Sequence, residues 1–183
     1  MISPRAAPDA EVPRAPTARD PLRRQFQVAH DLLDAAVDEC PSHRAYPHPR
    51  DAEGATAAAW YAQTVVCEDI VVSGVAAREA PLALSTWSGR TGLSELPPLA
   101  RCINERTAGA APWAGTVRID ARALRAYARA VYASTDAAIG ALPVDALDPA
   151  RRGSPACILT ALLLTVAARR GELMLVFKSW SHA

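Results

Sequence analysis

The sequence predicts an all-α protein, a four-helix bundle in which a long middle loop joins the second and third helices. Half of the residues are hydrophobic and only 5% are aromatic, and alanine, the best helix former, is abundant. Four long segments repeat apolar residues at helical spacing, and prolines stand at their ends. No segment alternates apolar and polar residues as a half-buried strand would.

The chain divides into a tail and one domain. Residues 1–19 contain four prolines and show no apolar periodicity, which predicts a flexible N-terminal tail. Residues 20–183 hold all four helical segments, and we assign them to a single helical bundle domain. A chain of 183 residues is long enough to bury one sizeable hydrophobic core.

The first two helices are bounded by prolines. Asp20 followed by Pro21 predicts the start of the first helix, because an N-cap oxygen precedes a proline at the first helical position. This helix ends before Pro41. The second helix is predicted over about residues 55–79 and ends at Pro81.

The last two helices have clear starting signals. Asp120 is a good N-cap for a third helix over residues 121–142. Ser154 and Pro155 repeat the combination of cap and proline, and the fourth helix runs from there to about Lys178. Its first half is apolar nearly all round, which predicts a helix that is buried on most sides.

Residues 81–119, between the second and third helices, are the least regular part of the chain. The segment SGRTGLSE offers glycine amides and hydroxyl groups, but it lacks the spacing of a phosphate-binding loop. We therefore expect an ordered loop, with a short helical piece around residues 99–105 as an open alternative.

Composition and charge exclude several classes of function. The net charge is +1 and no basic patch is present, so we expect no nucleic-acid partner. The most apolar run, residues 156–168, is shorter than the roughly 18–20 residues that a membrane-spanning helix needs. We therefore expect no membrane partner.

The four cysteines stand far apart, which predicts no metal site and reduced thiols in a cytoplasmic protein.

Four local patterns occur in an order that resembles the DinB-like superfamily. They are AWYAQTVVCEDIVV, APLALSTWSGRTGLSELPP, WAGTVRIDARALRAYARAVYASTDAAIGALP and ARRGELMLVFK. The similarity covers about residues 20–178 and is greatest to an actinobacterial branch related to mycothiol-dependent metalloenzymes. The resemblance implies an up-down-down-up four-helix bundle. It also implies a divalent metal held by three histidines and, in several members, a low-molecular-weight thiol.

All three positions of those histidines are changed in this chain. The first lies shortly before a Glu-Asp pair on the second helix, and here it is Gln63. The other two lie four residues apart on the last helix, and here they are Thr165 and Arg169. Amide and hydroxyl oxygens are poor ligands for such a metal, and a guanidinium repels a cation. We therefore expect no metal and no other cofactor, and the use of a thiol stays open.

The same residues define a predicted substrate-binding pocket. Gln63, Thr165 and Arg169 would supply an amide, a hydroxyl and a guanidinium, and Trp60 would supply an aromatic wall. A guanidinium there would hold a small organic anion. Two alternatives are an Arg169 that pairs with Glu172 and fills the cavity, and an Arg169 that extends to solvent.

His30 and Glu172 are the predicted catalytic residues. His30 follows Phe26 by four residues, which places it at the inward seam of the first helix, where it is either a general acid or base or a core histidine. Glu68 and Asp69 are adjacent, so they point about 100° apart on a helix. We expect one of them to be solvated and the other to bond the middle loop or an arginine, with a general-base role as the alternative.

Three functions remain open from the sequence. The first is a metal-independent isomerase, cyclase or transferase that acts on a small organic molecule, in specialised biosynthesis. The second is a small-molecule binding protein without catalysis. The third is a degenerate bundle that serves as a partner subunit or a homodimer.

Overall fold

The computed structural model describes five helices that form a helical bundle. It covers residue 17 and residues 19–39, 57–76, 80–98, 110–147 and 153–180, without the side chains of 110–111 and 172–180. The α-helices are α1 (Arg19–Asp38), α2 (Ala57–Val75), α3 (Ala110–Thr116), α4 (Ala121–Ala141) and α5 (Pro155–Trp180). Two 3₁₀ helices are η1 (Leu82–Leu84) and η2 (Val144–Leu147). These ranges contain no strand, only one isolated bridge, so the all-α prediction is confirmed for them.

The predicted starts of α4 and α5 are confirmed by their caps. The Asp120 carboxylate accepts a hydrogen bond from the backbone N–H of Ala123 at 3.0 Å. The Ser154 hydroxyl oxygen accepts one from the backbone N–H of Cys157 at 3.2 Å. Each cap satisfies one of the N–H groups that the first turn of a helix leaves unbonded.

The start of α1 differs from the prediction. The helix begins at Arg19, one residue before the expected cap. The Asp20 carboxylate accepts from the backbone N–H of Thr17, and this hydrogen bond lowers the pKa of Asp20. The Asp20 carboxylate therefore bonds the backbone just before α1 rather than the first turn of the helix.

Among the described side chains, those of α2 are the most deeply buried, and this helix packs against α1, α4 and α5. The expectation that α5 is buried on most sides is wrong for its described side chains. One stripe of α5 is buried, but Ile158 is 36% exposed and Leu164 is 65% exposed. The apolar run on α5 is wider than the face that its neighbours cover, whereas α2 has neighbours on several sides.

Side-chain contacts show that α1 and α4 run in opposite directions. Arg23 near the start of α1 bonds Asp136 near the end of α4. Asp38 at the end of α1 forms an ion pair with Arg125 near the start of α4. Antiparallel packing of neighbouring helices is the usual arrangement in a bundle.

The middle loop is ordered over residues 80–98, as predicted. The carbonyl of Gly92 accepts from the backbone N–H of Asp120 at 2.7 Å, so the loop is joined to the start of α4. The short helical piece expected around residues 99–105 lies outside the described residues. The helix α3, which follows residues 99–105 in the chain, was not predicted.

Cys67 is disulfide-bonded, while Cys157 is a free cysteine. The expectation of reduced thiols is therefore wrong at Cys67. Disulfides persist mainly in oxidising compartments, and cytoplasmic location stays a prediction. No helix among the described residues combines the length and apolar character needed to cross a membrane.

Candidate functional site

A buried pair of ionisable side chains lies where α1, α2 and α4 meet. Nε2 of His30 on α1 is 2.9 Å and 3.0 Å from the two carboxylate oxygens of Glu68 on α2. His30 is 6% exposed and Glu68 is 0% exposed. The hydroxyl of Thr135 on α4 donates to the same carboxylate. A carboxylate removed from water requires such partners, because an unpaired buried charge is costly.

The contact relates the tautomer of the imidazole to the charge of the carboxylate. When Glu68 is ionised its oxygens can only accept hydrogen bonds, and the contact then requires the proton of His30 on Nε2. No hydrogen bond joins Nδ1 to any residue in the described part of the chain. In the neutral ring Nδ1 has a lone pair, so it can accept a proton from a bound molecule.

Two aromatic rings hold the imidazole in place. Tyr132 of α4 stacks on His30 with ring centroids 3.7 Å apart and an interplanar angle of 11°. Phe26, one turn earlier on α1, contacts the same imidazole at a centroid distance of 5.8 Å. The orientation of the ring is therefore set by packing as well as by Glu68.

His30 lines a cavity of about 440 Å³ between α1 and α4. This volume is in the usual range for small-molecule sites. Several of its lining residues are exposed, so the cavity is open to solvent. The lining includes Arg23, Phe26, His30, Asp31, Tyr132 and Asp136.

An ion pair crosses one edge of this cavity. Nε of Arg23 donates to Oδ1 of Asp136 at 2.6 Å, and a second guanidinium N–H donates to Oδ2. These hydrogen bonds hold the pKa of the Asp136 carboxyl below its usual value and raise the pKa of Arg23. Both side chains are therefore charged, and each neutralises the other.

Asp34 on α1 anchors Tyr132. Its carboxylate accepts from the hydroxyl groups of Tyr61 at 2.8 Å and Tyr132 at 3.1 Å, and Arg125 lies 3.2 Å away. Burial, followed by nearby negative charge, raises the pKa of both phenols well above the usual value. Both tyrosines thus stay protonated donors, and Tyr132 is fixed against His30.

Asp69 bonds the middle loop and α4, whereas Glu68 bonds α1 and α4. Its carboxylate accepts from the backbone N–H groups of Leu82 at 2.9 Å and Ala83 at 2.8 Å, and from the Tyr127 hydroxyl at 2.9 Å. The expected bond to the middle loop is therefore present. The expectation that the other carboxylate is solvated is wrong, since Glu68 is fully buried.

The residues of the predicted substrate pocket lie elsewhere on the bundle. The Arg169 guanidinium lies over the Trp60 ring, 4.5 Å from its centroid, so these two are brought together. The Thr165 hydroxyl donates to the carbonyl of Ala161 at 2.9 Å, which occupies it within its own helix. Gln63 is half-buried on α2. Glu172 lies on α5, but its side chain is outside those described.

A second cavity, of about 500 Å³, lies between α1 and α5. Its apolar lining includes Val28, Leu32 and Leu164, which are exposed by 38% or more, and Arg24 and Arg170 lie beside them. Neither of these two cavities is lined by residues of the predicted substrate pocket.

Sequence reasoning missed the partners of His30. Thr135 stands four residues after Val131 and three before Ala138, so it is a polar residue on the apolar stripe of α4. That position was an available signal for a buried polar contact. Glu68 gave a weaker signal, because α2 is apolar on most sides and its periodicity does not show which neighbour a polar residue faces.

Within the described parts of the chain, no group of three His, Cys, Asp or Glu side chains could hold a metal ion. The chain matches no model of a known protein family. No curated protein matches it either. The DinB-like relationship therefore remains a prediction from the residue patterns.

Proposed function

We propose that this protein acts on a small organic molecule bound between α1 and α4, and that His30 transfers a proton to or from it. The observation that carries the proposal is the contact between His30 and Glu68 at a cavity of about 440 Å³. A histidine is suited to this work because its ordinary pKa lies near neutrality.

The surroundings of His30 match the needs of general acid–base catalysis. Glu68 accepts the hydrogen bond from Nε2 of His30, which leaves Nδ1 as the ring nitrogen that can exchange a proton with a ligand. Tyr132 and Phe26 restrict the ring to one orientation, which keeps the reacting nitrogen positioned. Such an arrangement is suited to an isomerase, a cyclase or a transferase that needs no cofactor.

The proposal includes a DinB-like bundle with up-down-down-up helices and without that family's metal. Its support is the order of the sequence patterns, together with the antiparallel contacts of α1 with α4. The donor set supports the loss of the metal, because Gln63, Thr165 and Arg169 stand at the expected ligand positions and are poor ligands for it.

Proton exchange in heavy water tests the proposed function, and it works even though the substrate is unidentified. The protein is incubated in D₂O with a mixture of small metabolites, and mass spectrometry follows deuterium uptake and changes of mass. We expect at least one compound to react with the wild type and not with His30→Gln. Circular dichroism checks that the variant is folded.

Arg169→Gln is the matched variant, because it alters the pocket predicted from sequence and leaves His30 in place. We expect it to react like the wild type. If Arg169→Gln loses the reaction while His30→Gln retains it, the reaction belongs to the other pocket. If no compound reacts with the wild type, the proposed function is wrong.

A specific observation favours a second candidate, a partner subunit or homodimer. Val28 is 55% exposed and Leu164 is 65% exposed beside the cavity between α1 and α5. Apolar groups that stay in contact with water favour association. Sedimentation equilibrium tests this candidate, and a monomer at all concentrations contradicts the homodimer.

A further inference from the structure

We propose that the cavity between α1 and α4 selects small organic cations, in particular primary amines. This inference rests on the proposed function, since it names the class of ligand for the same site. It depends on the charges around the cavity, on one carboxylate without a protein partner among the described residues, and on the aromatic surfaces beside His30.

The charged groups at the cavity are predominantly negative. Among the described residues that line the cavity, Arg23 supplies the one fixed positive charge, while Asp31 and Asp136 supply negative charges. Glu68, behind His30, adds another. The site therefore keeps an excess of negative charge whether His30 is neutral or protonated, and a cleft with charge of one sign attracts ligands of the opposite sign.

Asp31 is the carboxylate that remains for a ligand. Both oxygens of Asp136 accept from Arg23, so that carboxylate is already neutralised. Among the described residues, no hydrogen bond or ion pair involves Asp31. It follows His30 directly in α1, and both residues line the cavity. An ammonium group can thus bind Asp31 while the rest of the ligand lies close to His30.

Aromatic side chains provide a second attraction for a cation. Phe26 and Tyr132 both line the cavity, and the faces of such rings attract ammonium groups. Phe26 is only 2% exposed and one face of Tyr132 is covered by His30, so the surface that remains for a ligand is the uncovered part of the half-buried Tyr132 ring. The Tyr132 hydroxyl donates to Asp34, so it is already engaged.

The charges around the cavity disfavour an anionic ligand. The guanidinium of Arg23 is occupied by Asp136 in a two-point contact, so a carboxylate ligand would have to replace an existing partner. It would also lie near Asp31 and Glu68, which repel it. The anion predicted at Arg169 concerns a different place on the bundle, because Arg169 lies over Trp60 and not at this cavity.

Three probes of similar shape and different charge test the inference. Phenethylamine, phenethyl alcohol and hydrocinnamate are titrated separately into the full-length protein by calorimetry, near neutral pH and at low salt. We expect phenethylamine to bind at least about tenfold more tightly than the alcohol, and hydrocinnamate to bind most weakly. Asp31→Asn should remove most of the preference for the amine over the alcohol.

Asp145→Asn is the matched control, since it removes an exposed carboxylate from η2, outside the cavity. It should keep the preference of the wild type. Equal binding of amine and alcohol, tightest binding of hydrocinnamate, or no binding of the amine would each overturn the inference. So would an unchanged preference in Asp31→Asn, or an equal loss in Asp145→Asn.

The proton-exchange experiment separates this inference from the proposed function, because it detects reactive compounds of any charge. A His30-dependent reaction on a carboxylic acid or a neutral compound would overturn the choice of amines and support the proposed function. A reaction on amines that does not depend on His30 would contradict the proposed function and leave the cationic site standing.

Discussion

The imidazole of His30 lies against the carboxylate of Glu68, and each side chain comes from a different helix of the bundle. This contact joins α1 to α2, and Thr135 extends it to α4. One pair can therefore stabilise the fold and also prepare a histidine for proton transfer. The two roles can be separated experimentally. The stability of the fold depends on Nε2 of His30, which contacts Glu68, whereas the proposed proton transfer depends on Nδ1.

Removal of the buried carboxylate should be costly. Glu68→Ala leaves the buried His30 without its acceptor, while Thr135 keeps the Val131 carbonyl, and we expect the free energy of unfolding to fall by about 3–5 kcal/mol. Asp136→Ala removes the partner of Arg23 at a half-exposed site, and we expect a loss of less than about 1 kcal/mol. Urea denaturation followed by circular dichroism measures both values. Equal losses for the two variants would show that the buried pair contributes no special stability.

Local signals made part of the fold predictable. The starts of α4 and α5 are encoded by Asp120 and Ser154, whose side chains bond the first turn of the helix that follows. The position of His30 on the inward side of α1 was also predictable from its spacing to Phe26, and the structure places it there. Each of these features depends on residues that are neighbours in one helix.

The site itself depends on contacts between helices, which periodicity does not supply. His30 and Glu68 are 38 residues apart in the chain, and nothing local indicates that they meet. The sequence resemblance directed attention to Gln63 and Arg169, whereas the histidine lies at a cavity on another side. A resemblance to a family indicates where that family's ligand positions would fall, and it does not report a contact between His30 and Glu68.

The buried tyrosines should make the protein sensitive to alkali. Burial raises the pKa of Tyr61 and Tyr132 in the folded state, whereas the unfolded chain ionises near pH 10, its ordinary value. Their contribution to stability is therefore complete below about pH 10. Above it the unfolded chain releases protons that the folded chain keeps, so stability falls by up to about 1.4 kcal/mol per pH unit for each tyrosine.

Tyr61→Phe gives the control for this dependence. We expect the variant to start from a lower stability, since Asp34 loses one donor. Its free energy of unfolding should then fall less steeply above about pH 10 than that of the wild type. Chemical denaturation at several alkaline pH values measures the two slopes. Identical slopes would show that Tyr61 ionises equally easily in the folded and unfolded chains.

Asp69 should hold the middle loop on the bundle. Leu82 and Ala83 bond different oxygens of Asp69, so Asp69→Asn leaves an acceptor for only one of these two N–H groups. We expect a loss of about 1–3 kcal/mol in the free energy of unfolding and faster hydrogen exchange at the backbone amide that loses its acceptor. Ser85→Ala removes a hydroxyl bonded to Pro81 in the same turn, and should leave the exchange of both amides unchanged. Unaltered exchange in Asp69→Asn would contradict the anchoring role.

Gly92 should be the least replaceable glycine of the middle loop. Its φ of +82° belongs to the left-handed region, and a Cβ there would lie 2.5 Å from the Leu124 nitrogen and 2.6 Å from the Asp120 carbonyl oxygen. Both contacts are with backbone at the start of α4, so the loop or the helix would have to move. Gly89 has a similar φ of +69°, but a Cβ would meet nothing within 4 Å.

Alanine substitutions at Gly89 and Gly92 separate the cost of a left-handed backbone from the cost of a clash with α4. Gly89→Ala should lower the free energy of unfolding by about 1–2 kcal/mol, the cost of the left-handed backbone alone. Gly92→Ala adds the clash with α4, and we expect a further loss of about 2–4 kcal/mol. Urea denaturation of the two variants gives this difference directly. Equal losses would mean that the loop shifts away from α4 at little cost, and that the hydrogen bond between Gly92 and Asp120 does not fix it there.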